Sequence, residues 1–192
     1  VHADVAADKG LQKAIPALAR LAGGIGDPHV RHRGTIGGSI ANNDPAADYP
    51  AAVVGLNATV VTSARRIAGD KFFTDIFTTA LADDEIVTAV EFPVPKRAAY
   101  VKFPNPASLY AMVGVLVAEL ADGSVRVAVT GAGPKVFRVP EMEKALAAGF
   151  SADAIAGIRV SSSGLNSDMH ASPEYRAHLV NVLARRAVAA AK

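Results

Sequence analysis

The fold of this chain is decided by the stretch Met112–Thr130, which reads MVGVLVAELADGSVRVAVT. Two runs of β-branched and small apolar residues, Met112–Leu120 and Val125–Thr130, stand on either side of Ala121–Ser124, ADGS. An Asp-Gly pair between two such runs is typical of a β-hairpin turn. A third β-like run, Ala99–Phe103, precedes the pair. The pattern predicts an antiparallel three-stranded sheet.

Three helical stretches follow these strands. They are predicted over Pro140–Ala148, over Ser151–Ile158 and from Pro173 to about Ala190, with Ser172 as the N-cap of the last. Strands followed by helices indicate an α+β domain, here a three-stranded sheet with a small helix bundle. The last helix also carries Arg176, and its apolar stripe favours an amphipathic core helix over a docking face.

The first half of the chain mixes short helices and strands. A helix is predicted to begin at Pro16 and to end at Gly23, after which residues 24–50 have the composition of a loop. Asp44 and Pro45 are predicted as the N-cap and first residue of a helix that continues to Leu56.

Two further strands are predicted over Ala58–Thr62 and Ile86–Phe92. The second strand ends at Pro93-Val94-Pro95, which we interpret as a domain boundary. The predicted domains are therefore residues 1–95 and 96–192.

The composition of the 192 residues is that of a globular protein, with a formal net charge of +2. No segment concentrates Lys and Arg or interleaves them with aromatics, so no nucleic-acid partner is expected. The chain contains no cysteine, which excludes cysteine-ligated iron–sulfur clusters in it and is typical of cytoplasmic proteins. No apolar run approaches the length of a membrane span. We therefore expect a cytoplasmic protein that is not inserted in a membrane.

The stretch best suited to binding a ligand is Arg33–Asp48, RGTIGGSIANNDPAAD. The adjacent glycines Gly37 and Gly38 let the backbone approach a ligand, and consecutive free amides can form a concave site for a diphosphate. Taken alone, two glycines are more often a turn before a capped helix, and the residue types leave the choice open. The glycine patterns of dinucleotide folds and phosphate loops are missing elsewhere in the chain.

Other polar residues give weaker signals. The five histidines, His2 among them, have no metal-ligand spacing and are expected in surface or capping positions. The acidic residues Asp83, Asp84 and Glu85 are expected to form a solvated turn. No catalytic residue and no metal site is predicted.

The longer run Asp27–Pro50, DPHVRHRGTIGGSIANNDPAADYP, resembles an FAD-binding loop of a known family. The family comprises the FAD-carrying medium subunits of molybdenum hydroxylases, which include carbon monoxide dehydrogenase and xanthine dehydrogenase. Further stretches with this resemblance are Phe72-Phe73, Thr79–Leu81, Asp84–Ile86, Gly131–Pro134 and Ser172–Leu179. The resemblance implies a two-lobed FAD-binding domain whose first lobe, with a second glycine-rich loop, is absent here. It therefore implies that this chain alone binds FAD weakly or not at all.

The resemblance also implies which residues hold the cofactor. Asp48 corresponds to a side chain that approaches the flavin, Lys102 to a flavin-proximal cation, and Tyr110 to an aromatic ring against the flavin. A cation there would stabilise the negative charge of reduced flavin. The implied FAD-binding residues are Ile25, Thr35, Ile36, Gly37, Gly38, Ser39, Asn42, Asp48, Lys102 and Tyr110.

The implied function is electron transfer within an oxidoreductase complex. FAD on this chain would receive electrons from iron–sulfur clusters of a small partner subunit and pass them to an external acceptor. A large partner subunit with molybdopterin would oxidise the substrate. The alternative is an assembly module that does not retain FAD, and flavin absorbance of the purified protein distinguishes the two.

Overall fold

Short elements fill the first half of the chain, and long strands followed by helices fill the second. The structure, a computed structural model, describes all 192 residues. Its helices are α1 (His2–Ala7), α2 (Lys9–Ala14), α3 (Pro16–Gly23), α4 (Pro28–Arg33), α5 (Ile36–Asn42), α6 (Tyr49–Gly55), α7 (Gly69–Phe72), α8 (Pro140–Ala148) and α9 (Pro173–Ala190). Its strands are β1 (Thr59–Thr62), β2 (Arg66–Ala68), β3 (Phe73–Asp75), β4 (Thr78–Thr79), β5 (Val87–Glu91), β6 (Arg97–Pro104), β7 (Ala111–Glu119), β8 (Val125–Thr130) and β9 (Phe137–Arg138).

The second half is built on an antiparallel sheet with the strand order β6-β7-β8-β9. The three predicted strands are confirmed, and the two-residue strand β9 extends the sheet at one edge. The predicted hairpin turn is also confirmed. Gly123 adopts a φ of 86°, and the amide of Ser124 donates to the carboxylate of Asp122 at 2.9 Å. This turn sets the register in which Val117 pairs with Val127.

The sheet is covered on both faces, which explains why β7 is apolar along almost its whole length. Val113, Val115 and Val117 face a core formed with α8 and α9. The alternate residues Leu116 and Ala118 belong to a second core that includes residues of α3 and α6. Because successive strand residues point to opposite faces, one strand contributes to both cores.

The first half packs its helices against that sheet and against a small sheet of its own. The small sheet is antiparallel, with the order β2-β1-β5, and a hairpin of β3 and β4 lies beside it. The predicted strands β1 and β5 are confirmed, whereas β2 and the hairpin were not predicted. Leu18, Tyr49 and Phe72 are fully buried in the core of this half.

The sequence-based prediction for residues 24–50 was wrong in two respects. The segment is not a continuous loop but contains α4 and α5, capped by Asp27 and Thr35. Each cap side chain accepts a hydrogen bond from a first-turn amide, and in α5 this offsets the poor helix propensity of Gly37 and Gly38. The next helix also begins later than predicted, at Tyr49, because the side chain of Asp44 instead accepts from the amide of Ala46 in a tight turn.

The predicted helix over Ser151–Ile158 was also wrong, since only a single 3-10 turn forms at Asp153–Ile155. The side chain of Asn181 on α9 donates to the carbonyls of Ile155 and Ile158, both at 2.8 Å. Those carbonyls are thereby satisfied without a helix. The helices at Pro16–Gly23, Pro140–Ala148 and Pro173–Ala190 are confirmed.

Candidate functional site

A cavity of about 540 Å³ lies between the two halves of the chain. The first half contributes His2, Ile25, Gly26, Val30, Ser39, Asp44, Pro45, Ala46, Ala47, Asp48 and Phe77, and the second contributes Ser108, Tyr110, Ala111, Gly131, Asn166, Asp168 and Arg176. Its size is within the range of small-molecule and cofactor sites, and such sites are common between domains.

The wall of the cavity is formed where the segment between α5 and α6 is hydrogen-bonded to the sheet of the second half. The amide of Gly131 donates to the carbonyl of Pro45 at 2.8 Å, and the amide of Ala111 donates to that of Ala46 at 3.2 Å. The hydroxyl of Thr130 donates to the carbonyl of Ala47 at 2.6 Å. Asp48 follows these bonded residues in the chain and also lines the cavity.

Asp48 is buried and held by two side chains of β6. The Tyr100 hydroxyl donates to its Oδ1 at 2.6 Å, and Lys102 Nζ lies 3.1 Å from Oδ1 and 3.2 Å from Oδ2. Residues two apart on a strand share a face, so Tyr100 and Lys102 reach the same carboxylate. Opposite them on β7, Gly114 has no side chain, and a Cβ there would contact the Tyr100 ring.

This arrangement changes the acid–base properties of both acidic groups. Burial raises the pKa of Asp48, and the charge of Lys102 and the hydrogen bond from Tyr100 oppose that rise. Burial and the neighbouring Asp48 charge raise the pKa of Tyr100 well above its ordinary value. The Tyr100 hydroxyl therefore stays a donor at neutral pH and continues to hold the Asp48 carboxyl group.

Four of the predicted FAD-binding residues are brought together at the cavity. Ile25, Ser39, Asp48 and Tyr110 all line it, although Ile25 lies between α3 and α4 and Tyr110 lies in the loop before β7. Lys102 does not line the cavity and instead contacts it through Asp48.

The remaining predicted residues lie on α5 away from the cavity wall. Thr35 caps the helix by accepting from the amide of Gly38 at 3.0 Å, and Asn42 is exposed at its last residue. Ile36 packs against the first core, and Gly37 lies beside Val87 of β5. The Gly38 and Ser39 amides are not free in this structure, because both donate to Thr35.

Several site residues were not predicted from the sequence. Tyr100 was missed although its spacing of two from Lys102 on a predicted strand was a usable signal. His2 was expected at the surface, but it is 4% exposed, its ring lies 5.3 Å from that of Tyr49, and burial lowers its pKa. Arg176 and its partner Asp168 line the cavity because of the way α9 packs. No local sequence pattern predicts that packing.

The cavity has the chemistry that a polar, planar cofactor requires. The Nδ1 atom of His2 and the Nε atom of Arg176 are buried and have no hydrogen-bond partner in the protein, and both residues line the cavity. Asn43 Oδ1 and the Tyr49 hydroxyl are also buried and unpaired but do not line the cavity, whereas the atoms of His2 and Arg176 belong to residues that do. Together with the apolar side chains of Ile25 and Val30, they fit an FAD ring system.

No group of His, Asp or Glu side chains is placed to hold a metal ion. No helix combines the length and the apolar character needed to span a bilayer.

Comparison with known proteins agrees with this arrangement. Residues 1–95 match the family of the FAD binding domain in molybdopterin dehydrogenase, and residues 98–191 match the CO dehydrogenase flavoprotein C-terminal domain. The chain is 34% identical to the nicotine 6-hydroxylase medium subunit of Paenarthrobacter nicotinovorans, over 97% of this chain and 71% of that protein. It is 30% identical to the carbon monoxide dehydrogenase medium chain of Afipia carboxidovorans, over 100% and 71%.

The structural similarity extends over the same range. The fold matches that of carbon monoxide dehydrogenase from Hydrogenophaga pseudoflava with a TM-score of 0.83 and 28% identity, covering 99% of this chain and 71% of that one. The two family models, the sequence relatives and the fold all give the same assignment. This chain belongs to the family of FAD-binding medium subunits of molybdenum hydroxylases, which are oxidoreductase subunits.

Proposed function

We propose that this chain holds FAD in the cavity between its halves and passes electrons from iron–sulfur clusters of a partner subunit to an external acceptor. The observation that carries the proposal is the convergence of Ile25, Ser39, Asp48 and Tyr110 on one cavity. The resemblance of the sequence to FAD-carrying medium subunits points to the same four residues.

The residues proposed to hold FAD have separate tasks. Tyr110 would lie against the flavin ring and exclude water from it, as a large planar side chain does. Ser39 offers a hydroxyl and Ile25 an apolar surface. The α5 residues Thr35, Ile36, Gly37 and Gly38, with Asn42, are proposed to face the diphosphate side of the cofactor. Because Thr35 caps α5, its contribution is to hold the helix in place.

The pair of Asp48 and Lys102 is proposed to set the polarity at the flavin edge. When bound, FAD supplies the capacity to accept electrons from one donor and to release them to another. The protein contributes Lys102, whose Nζ contacts both oxygens of the buried Asp48. The Tyr100 hydroxyl orients that carboxylate.

The proposed partners are an iron–sulfur small subunit and a molybdopterin large subunit. These 192 residues contain no cysteine, so a cysteine-ligated cluster must be held by residues outside them. The relatives named above are medium subunits, which supports assembly with further chains. Copurification of the native protein with such subunits is the expected result, and a free monomer with full dehydrogenase activity would contradict the proposal.

A titration of FAD into the purified chain tests the cofactor assignment. We expect saturable binding, seen as quenching of flavin fluorescence, with weakened binding in Tyr110→Ala because the proposed stacking surface is lost. Tyr175→Ala serves as the control, since Tyr175 is 43% exposed and does not line the cavity. Absence of FAD binding by the unmodified chain would favour the assembly-module alternative.

A further inference from the structure

Arg176 is a buried cation at the wall of the cavity. It lies in the first turn of α9, which Ser172 caps, and it is 3% exposed. A buried guanidinium is costly unless its donors are paired, so a position of this kind requires a specific reason.

Only part of the Arg176 guanidinium is satisfied by the protein. Nη1 donates to the carbonyls of Met112 at 2.6 Å and Gly131 at 3.1 Å, and Nη2 donates to Asp168 Oδ2 at 2.6 Å. Nε has no partner. Met112 and Gly131 are at the ends of β7 and β8 next to the cavity, so Arg176 also ties these strand ends together.

The charge of Arg176 is only partly balanced within the protein. Its partner Asp168 has a side chain that is 43% exposed, whereas the Arg176 side chain is 4% exposed. Water screens the carboxylate more strongly than the guanidinium. Lys102 differs, because its partner Asp48 is itself only 4% exposed and Lys102 does not line the cavity.

We propose that Arg176, rather than Lys102, is the residue whose charge biases the cavity toward the reduced form of FAD. The inference rests on the proposed function, since it requires FAD in this cavity. Reduced flavin carries more negative charge than oxidised flavin, and a poorly screened cation at the cavity wall favours the more negative form. Arg176 acts through its field and through the strand ends that it holds.

The test compares how tightly the chain binds oxidised and reduced FAD. Both dissociation constants are measured under anaerobic conditions, and their ratio gives the preference of the site directly, even where binding is weak. We expect Arg176→Met to reduce the preference for reduced FAD about tenfold, which corresponds to about 30 mV for a two-electron couple. Arg176→Lys keeps the charge and should retain most of the preference.

Two further variants make the test specific to charge. Asp168→Asn keeps an acceptor for the amides of His170 and Ala171 but removes the balancing charge, so it should increase the preference for reduced FAD. Arg185→Met removes an exposed arginine from the same helix and should change nothing.

The outcomes separate this inference from the proposed function. If the unmodified chain binds FAD but the ratio is unchanged in Arg176→Met and Asp168→Asn, the inference is wrong and the proposed function stands. An equal fall in the preference for Arg176→Met and Arg176→Lys would also overturn it, because the role would then be structural. If Arg176→Met does not fold, Asp168→Asn and Arg176→Lys decide the question. If the unmodified chain binds no FAD, both proposals fail.

Discussion

Asp48 illustrates how much a single residue depends on partners that are distant in sequence. Its position after the glycine-rich stretch was visible in the sequence, and resemblance singled it out. Its environment was not visible, because Tyr100 and Lys102 lie 52 and 54 residues further along the chain. A buried carboxylate is tolerated only when such partners satisfy it.

Replacing Tyr100 with Phe should destabilise the chain by about 1–3 kcal/mol, because a buried carboxylate loses a hydrogen-bond donor. The free energy of unfolding, measured by urea denaturation, checks this expectation. Tyr175→Phe is the matched control, since its hydroxyl lies on a side chain that is 43% exposed. Equal stabilities of the two variants would show that the Tyr100 hydroxyl contributes nothing to the fold.

Glu85 should make stability depend on pH in the acid range. Hydrogen bonds from Arg65, Thr62 and the amide of Ala82 lower the pKa of Glu85 to about 2. The native state therefore favours the ionised form, so the stabilisation is present above the ordinary pKa and is lost as the pH falls toward 2. Denaturation at several pH values should show this loss, and Glu85→Gln should have a flatter profile. Identical profiles would exclude Glu85 as the cause.

At the scale of elements, side-chain caps and tertiary contacts decided where helices form. Composition indicated a loop over residues 24–50, yet caps from Asp27 and Thr35 stabilise two short helices there. Conversely, Asn181 satisfies carbonyls that would otherwise require a helix near Ile155. Local propensity is a weak prior, and these contacts outweigh it.

The turn after β8 should be intolerant of any side chain. Gly131 has a φ of 80°, and a Cβ there would lie 2.5 Å from the carbonyl oxygen of Ala111. We expect Gly131→Ala to cost at least about 2 kcal/mol of stability, because it combines a disfavoured φ with a backbone clash. Gly157→Ala is the control, since no atom lies within 4 Å of the added Cβ. Urea denaturation of both variants gives the comparison, and similar losses would contradict this reasoning.

At the scale of the whole molecule, the two halves share a core. Leu116, Ala118 and Ala128 lie in the sheet of the second half but pack in the core of the first. The matched families cover residues 1–95 and 98–191, and a domain boundary near residue 95 stays a prediction. The two matched segments do not bury their apolar surfaces independently, because the core of the first includes residues of the second.

Separate expression of residues 1–95 and 96–192 should give fragments that do not fold alone. The cut would expose an apolar sheet face that the intact chain buries, and contiguous exposed apolar surface promotes aggregation. Thermal unfolding followed by circular dichroism should show one cooperative transition for the intact chain and none for either fragment. Two fragments with cooperative transitions of their own would show that the halves are independent domains.

The sequence by itself determined three strands and two helices of the second half, and the family. Apolar runs on either side of Asp122-Gly123 and helix-start residues are local patterns, and the run Asp27–Pro50 is long enough to be recognised. Only the tertiary structure decided that Tyr100 and Lys102 both contact Asp48. It also decided that Lys102 does not itself line the cavity, whereas the buried Arg176 does. The reason is physical: burial and pairing of charges depend on which elements meet, and these contacts join residues 45 to 54 positions apart that no local pattern relates.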